Sequence, residues 1–307
     1  NGEVNDDLFS LDITRFEKFH SETKFITQRV TETLGNLYAM HWPYKQLKTS
    51  RDQKLLPFHH DLKNKGACFG QVAGYERPMW YALNGNKPEY EYSYGYQNWY
   101  ESAKYETINT RKNVGLFDLS AFAKFEIKGN SAFKDLQRLC CNNIKNDPGK
   151  TTYTQMLNSN GGIVADLTVT CINEKFFRVI TGSSVKEHDK KHIIENLSKD
   201  TTLTDITEDL ACLGIFGPKS RELLKNLFGE HFSTNDFMFG TAKEIKFNDS
   251  NIIFQRLSFV GELGWEIYIP INISRNIYLK LVKYGKKYGL VHAGGHALDI
   301  MRMEKGY

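Results

Sequence analysis

Tyr153-Thr154-Gln155-Met156-Leu157-Asn158-Ser159-Asn160-Gly161-Gly162-Ile163-Val164-Ala165-Asp166-Leu167-Thr168-Val169-Thr170 reads as a hairpin with one carboxylate in its return strand. Asn158 to Gly162 is turn chemistry, and the β-branched run from Ile163 to Thr170 marks the returning strand. Aspartate is depleted in strands and costly to desolvate unless it is hydrogen-bonded. Asp166 therefore calls for a polar partner or ligand beside it, or else for a solvated position or a neighbouring backbone amide to cap.

Regular α and β elements surround this hairpin. Val114 to Leu119 is a short apolar strand or turn, Lys124 to Lys128 alternates as a strand, and Gly129-Asn130-Ser131 opens a helix carrying Phe133, Leu136, Leu139 and Cys140 on one face. Lys175 to Thr181 is a strand and Ser184 to Leu197 a polar amphipathic helix. Leu213 to Phe216 is a strand, followed by Gly217-Pro218 at a helix start and Gly229 at its stop. Ile252 to Ser258 and Trp265 to Ile269 pair around Gly261-Glu262-Leu263-Gly264, and Ser274 caps a helix running to Tyr288. The class is α+β, with mixed sheets and helices, and blocks 124–181 and 202–269 share an order that hints at a pseudo-repeat. Upstream, Phe16, Phe19, Ile26, Val30, Leu34 and Leu37 recur at helical spacing between Arg15 and Met40, interrupted near Ser21 to Lys24. Residues 41 to 105, rich in tryptophan and tyrosine, read as an irregular connection between two units.

The 307 residues exceed one typical domain. A net charge of +4, with no long single-sign block, gives no support to nucleic-acid binding or a membrane-surface patch. Five cysteines without CxxC pairing argue against a disulfide framework and a zinc site, and favour a reducing compartment. No apolar run approaches the ~20 residues of a membrane span, so a soluble protein is expected. His188 and His192 stand one helical turn apart, but the lysines between them and the missing third ligand make a solvated helix face the better reading; no metal is expected. G-x-S-x-G, P-loop and G-x-G-x-x-G motifs are missing from the 307 residues. The chain opens on Asn1 and stops just after a helical pattern, and a piece of a longer protein is the expectation.

Glu266, entering the apolar strand Trp265 to Ile269, is the second strand carboxylate that needs a donor. With Asp166, Tyr153 and several aromatics it suits a ring bearing an amino-amide edge, since a carboxylate accepts two parallel N–H bonds.

Four motifs then resemble the folate-binding T-protein (aminomethyltransferase) fold: Val114-Gly115-Leu116-Phe117-Asp118-Leu119-Ser120, Tyr153 through Val169, Gly217-Pro218, and Gly261-Glu262-Leu263-Gly264-Trp265-Glu266. Upstream, His41-Trp42-Pro43, Gly66 to Gly70, Gly74 to Tyr81 and Asn98-Trp99-Tyr100 are similar to the segment joining the FAD and folate domains of dimethylglycine and sarcosine dehydrogenases. Asp7-Leu8-Phe9 through Arg15-Phe16 resembles the close of such a FAD domain.

The resemblance implies three parts: residues 1–50 ending a FAD-dependent oxidoreductase domain, 51–105 connecting, and 106–307 forming a T-protein-like folate-binding domain, incomplete at its C-terminus. It implies oxidation of a small N-methyl amine on FAD held in the missing N-terminal domain, with an electron-acceptor protein or oxygen as oxidant, and transfer of the carbon to tetrahydrofolate as 5,10-methylene-tetrahydrofolate. It implies Asp166 as the catalytic group, with Tyr153, Glu266, Phe259 and Gly261 around the folate, and a cytoplasmic location if bacterial or the mitochondrial matrix if eukaryotic. Two departures stand out: Phe259 occupies a position where the family usually has tyrosine, and Leu298 replaces an arginine of aminomethyltransferases, which favours the dehydrogenase branch. The rivals are a flavin-independent tetrahydrofolate-dependent aminomethyltransferase or demethylase, and a non-catalytic homologue such as a regulatory subunit of pyruvate dehydrogenase phosphatase; retention of Asp166, Glu266 and Tyr153 argues against a dead site.

Overall fold

Alternating strands build a five-stranded sheet, and near-continuously buried runs such as Val114–Asp118, Leu210–Phe216 and Gly264–Pro270 build the centre of a six-stranded one. The computed structural model describes residues 8–83, 85–144 and 146–307; Asp7 of the N-terminal stretch quoted above lies outside them. The five-stranded sheet has the order Thr151–Leu157, Ile163–Asn173, Phe176–Thr181, Ala123–Gly129, Thr201–Asp205, antiparallel throughout. The six-stranded sheet runs Thr241–Phe247, Ser250–Arg256, Gly264–Pro270, Leu210–Phe216, Val114–Asp118, Leu290–His292, antiparallel except for its last pair.

The pseudo-repeat is present in the topology. In each block a strand (Ala123–Gly129 or Leu210–Phe216) leads to a helix (Ala132–Leu139 or Ser220–Phe228) and then to three antiparallel strands, the last of which pairs back onto the first. The second block starts at Leu210 rather than 202, because Thr201–Asp205 belongs to the other sheet.

Each sheet hides its apolar face beneath its own helices. In the five-stranded sheet Phe125, Ile127, Leu167, Val169, Phe177 and Val179 close over Leu136 and Leu139 of the Ala132–Leu139 helix. In the six-stranded sheet Leu213, Ile215, Trp265, Ile267 and Ile269 close over Leu223, Leu224, Ile277 and Leu281. At ~25 cal/mol per Å² of apolar surface these two layers dominate the stability of the fold. The opposite faces turn toward each other: Ile180 of the five-stranded sheet shares a cluster with Cys212, Phe216 and Tyr268 of the six-stranded one. The sheets are stitched at one corner, where Thr151 donates from its amide to Gly240 at 2.9 Å and Ala242 to Gly149 at 2.6 Å.

Residues 41–105 are more regular than their periodicity implied. They contain a small sheet, ordered Lys54–Leu55, Tyr75–Tyr81, Ala67–Val72, the short helix His59–Lys63 and the start of the helix Tyr100–Lys112. Tyr75–Tyr81 is buried at nearly every position, so it carries no alternation. Arg51 anchors this part: its guanidinium pairs with the buried Glu76. Two helix starts also differ from expectation. Ser274 lies inside Ile271–Gly285, its hydroxyl donating back to the Ile271 carbonyl at 2.8 Å, and Pro270 is the N-cap. Pro218 precedes the helix Ser220–Phe228, whose N-cap is Lys219. Upstream, Thr23–Gly35 is helical with no buried residue.

Candidate functional site between two sheets

Asp166, Thr168 and Thr170 alternate with the buried Ala165, Leu167 and Val169, so they stand on the face that looks toward the six-stranded sheet. Asp166 is exposed and lies opposite Gln155 in the ladder; Gln155 Nε2 donates to Asp166 Oδ1 at 2.8 Å. That is the polar partner its place in a strand requires. The Asp166 carboxylate, as a hydrogen-bond acceptor, pushes the Tyr153 hydroxyl above its ordinary value; slight burial adds to the effect and the Arg302 charge opposes it. Tyr153 is itself exposed. Asp166, Gln155, Tyr153 and Arg302 thus gather at one open end of the intersheet space.

Glu266 stands on the facing sheet, next to Gln255 in the ladder, and is only 7% exposed. The Tyr268 hydroxyl donates to Glu266 Oε2 at 2.6 Å, and among the described residues Oε1 has no donor. Burial drives its pKa up and the Tyr268 bond opposes the rise. The Tyr268 hydroxyl is likewise pushed well up, by burial first and then by Glu266.

Around Glu266 lie donors without acceptors. Gln255 Nε2 is buried without a partner. Arg178, 7% exposed on the inner face of the five-stranded sheet, gives one bond to Glu126 Oε1 at 3.0 Å, while its Nε and Nη1 have none. Buried polar atoms are rarely orphaned. A carboxylate with a free oxygen, an amide and a guanidinium with free N–H groups can together hold a ring with both donor and acceptor edges. The sequence reading missed Arg178 and Gln255, and only their inward phase, opposite Phe177 and Phe254, marks them.

Phe259 is half-buried in the loop before Gly264–Pro270, edge-on to Phe122 with ring centres 5.3 Å apart and with the Arg302 guanidinium 4.0 Å over its ring. Arg302 Nη1 also donates to the Phe259 carbonyl at 3.3 Å. Gly261 has φ +75°, and a side chain there would strike that of Lys305, so it serves the turn against the helix Gly295–Lys305. The structure thus brings Tyr153 beside Asp166 and places Glu266 on the opposing wall; no direct contact joins the two carboxylates among the described residues.

Residues 58–307 match the family model described as GCVT N-terminal domain. The chain belongs to that family. Residues 1–55 match a second model, the FAD dependent oxidoreductase central domain. Among curated relatives of this GCVT-family chain, the 4-methylaminobutanoate oxidase (formaldehyde-forming) of Paenarthrobacter nicotinovorans is 38% identical over 98% of this chain and 37% of its own. Dimethylglycine dehydrogenase of Rattus norvegicus is 31% identical over 100% of this chain and 36% of its own. The chain therefore spans little more than a third of these relatives. Of solved structures, the glycine cleavage system aminomethyltransferase T of Bartonella henselae superposes with a TM-score of 0.69 at 23% identity, covering 83% of this chain and 63% of that one. The T-protein-like fold expected from the sequence is the fold observed.

Proposed function

We propose that the chain is the tetrahydrofolate-binding part of an FAD-dependent N-methyl-amine dehydrogenase of the dimethylglycine or sarcosine type, receiving the oxidised methyl group as 5,10-methylene-tetrahydrofolate. The observation that carries this reading is Glu266: a buried carboxylate with one donor, one free oxygen and unmatched N–H groups of Gln255 and Arg178 in the same layer. That donor and acceptor set fits the amino-amide edge of a pterin. Asp166 sits where the layer opens to solvent, and its role in this reading is to take a proton from, or stabilise positive charge on, the nitrogen that receives the carbon. Gln155 holds Asp166 in place, and Tyr153 and Phe259 flank the opening. FAD would supply the oxidation from a domain preceding these residues, and no side chain of this chain is assigned to it.

Calorimetric titration of the chain with tetrahydrofolate tests the reading. Saturable binding is expected, and Glu266→Ala should weaken it by about 2 kcal/mol or more, roughly 30-fold in Kd. Absence of binding by the wild-type chain, or an unchanged affinity in the variant, would remove this reading.

A further inference from the structure

Among the described residues the chain crosses between the two sheets twice. Residues 119–122 lead from Val114–Asp118 of the six-stranded sheet to Ala123–Gly129 of the five-stranded one, and residues 206–209 lead back from Thr201–Asp205 to Leu210–Phe216. One side chain holds both crossings. Lys124 is fully buried, and its ammonium donates to the carbonyls of Ser120 and Phe122 on the first crossing and of Thr207 on the second, each at 2.9 Å. An ammonium has three donors, and all three are used.

This charge is a costly tie. Burial lowers the Lys124 pKa to about 8, while Cys212, Glu208, Asp118 and Asp205 pull the other way. An apolar side chain would pack here at a lower desolvation cost. It could not fix two crossings that lie 83 residues apart in one geometry, because the three carbonyls would lose their common donor.

Both walls of the candidate site are bonded to this joint. On the five-stranded side Lys124 and Glu126 share the inner face of one strand, and Glu126 accepts from Arg178 at 3.0 Å. On the six-stranded side the Ser120 hydroxyl accepts from the Cys212 amide at 3.0 Å; Cys212 stands opposite Tyr268 in the ladder, and Tyr268 donates to Glu266 at 2.6 Å. The other tie between the sheets, at Thr151 and Ala242, joins their far edge strands. With that edge held, a change at Lys124 turns one sheet against the other. Arg178, one strand from Lys124, then shifts more than Asp166, which stands on the strand next to the held edge.

We propose that Lys124 is a positioning residue for ring recognition: by fastening both crossings it sets the spacing between Arg178 on one wall and Glu266 with Gln255 on the other. The joint follows from the hydrogen bonds alone; its part in binding rests on the folate reading. A ring gripped from both walls keeps its bonds only within the roughly 0.5 Å range over which N–H···O bonds hold.

Lys124→Met, of similar length and without donors, tests this on the full 307-residue chain. Tetrahydrofolate should bind about ten-fold or more weakly, while the rate of its condensation with formaldehyde at saturation stays within about three-fold. In an Arg178→Gln background the same substitution should cost less than about two-fold, because the spacing no longer has a second wall to serve. Leu136→Ala, in the outer core of the same sheet, is the control: its urea midpoint should fall and its affinity stay within about two-fold. Without ligand, hydrogen exchange in Lys124→Met should quicken about ten-fold or more at the Cys212 and Ile206 amides, which bond to the joint, and stay within about two-fold at Thr151 and Ala242. If Lys124→Met loses its circular dichroism, Ser120→Ala takes its place, with an affinity loss of about three-fold or more and the same dependence on Arg178. Equal losses of affinity and rate, a full loss in the Arg178→Gln background, or a matching affinity loss in Leu136→Ala overturns the proposal. Folate binding with unchanged exchange at the joint sinks this inference alone, and faster exchange in a chain whose wild type binds no folate sinks the folate reading and leaves the joint standing.

Discussion

Blocks 123–181 and 210–270 share one strand order, yet their inner faces are finished differently. In the first, the inward row ends at solvent: Asp166 and Tyr153 are exposed, and Asp166 is met by the Gln155 amide and by the Tyr153 hydroxyl. In the second, the row is sealed, and Glu266, Gln255 and Tyr268 are nearly free of water contact. Under the proposed function this difference amounts to a division of labour. A carboxylate in a sealed layer has a high desolvation cost that a matched ligand can offset, which is the part the proposed function gives to Glu266. A carboxylate at the open end keeps access to water and to an incoming carbon, which a group that moves protons needs.

The sharpest way to break this comparison is Asp166→Asn. The chain should accelerate condensation of formaldehyde with tetrahydrofolate, and the variant should lose roughly 100-fold or more of that acceleration. Its tetrahydrofolate Kd should stay within about three-fold, and its stability within about 0.5 kcal/mol, because the side chain is exposed. An affinity loss matching the rate loss would make Asp166 a binding group and erase the division.

Glu266→Gln probes the sealed side through pH. The folded-state pKa of Glu266 is raised above the ordinary carboxyl value of 4.5, so folding favours its protonated form. Its contribution to stability is present below pH 4.5 and is lost as the pH rises through the folded value. Urea midpoints should therefore fall more steeply above pH 4.5 in the wild type than in Glu266→Gln, whose amide does not titrate. Bound folate should flatten the wild-type slope. Parallel curves would mean that the layer is wet and that Glu266 is not a desolvated group.

The parts legible in the sequence were those whose chemistry is local. The Asn158 to Gly162 turn, the β-branched return strand and the Gly229 helix stop each depend on residues a few positions apart, and all three stand where they were expected. Glu266 was legible because a carboxylate in an apolar strand contradicts its neighbours. Tyr75–Tyr81 was not, since burial on both faces erases the period of two that identifies a strand. Arg178 and Gln255 were missed for a related reason: a polar residue in an alternating strand reads as solvated, and only the second sheet across from it makes that face an interior. The joint at Lys124 ties crossings distant in sequence, so no spacing rule could assemble it.

The smallest expected effect comes from Phe259, beside Arg302. The family resemblance places a tyrosine where this chain has Phe259, so Phe259→Tyr should restore a hydroxyl beside the open end. The ring is half-buried and already oriented by Arg302 and by the edge of Phe122, so the new group enters a preset position at little entropic cost. One added hydrogen bond is worth about 0.5–1.5 kcal/mol, which corresponds to tetrahydrofolate binding roughly 2- to 12-fold tighter. A loss of that affinity would show that the edge contact with Phe122 leaves no space for an oxygen, and that phenylalanine here serves packing alone.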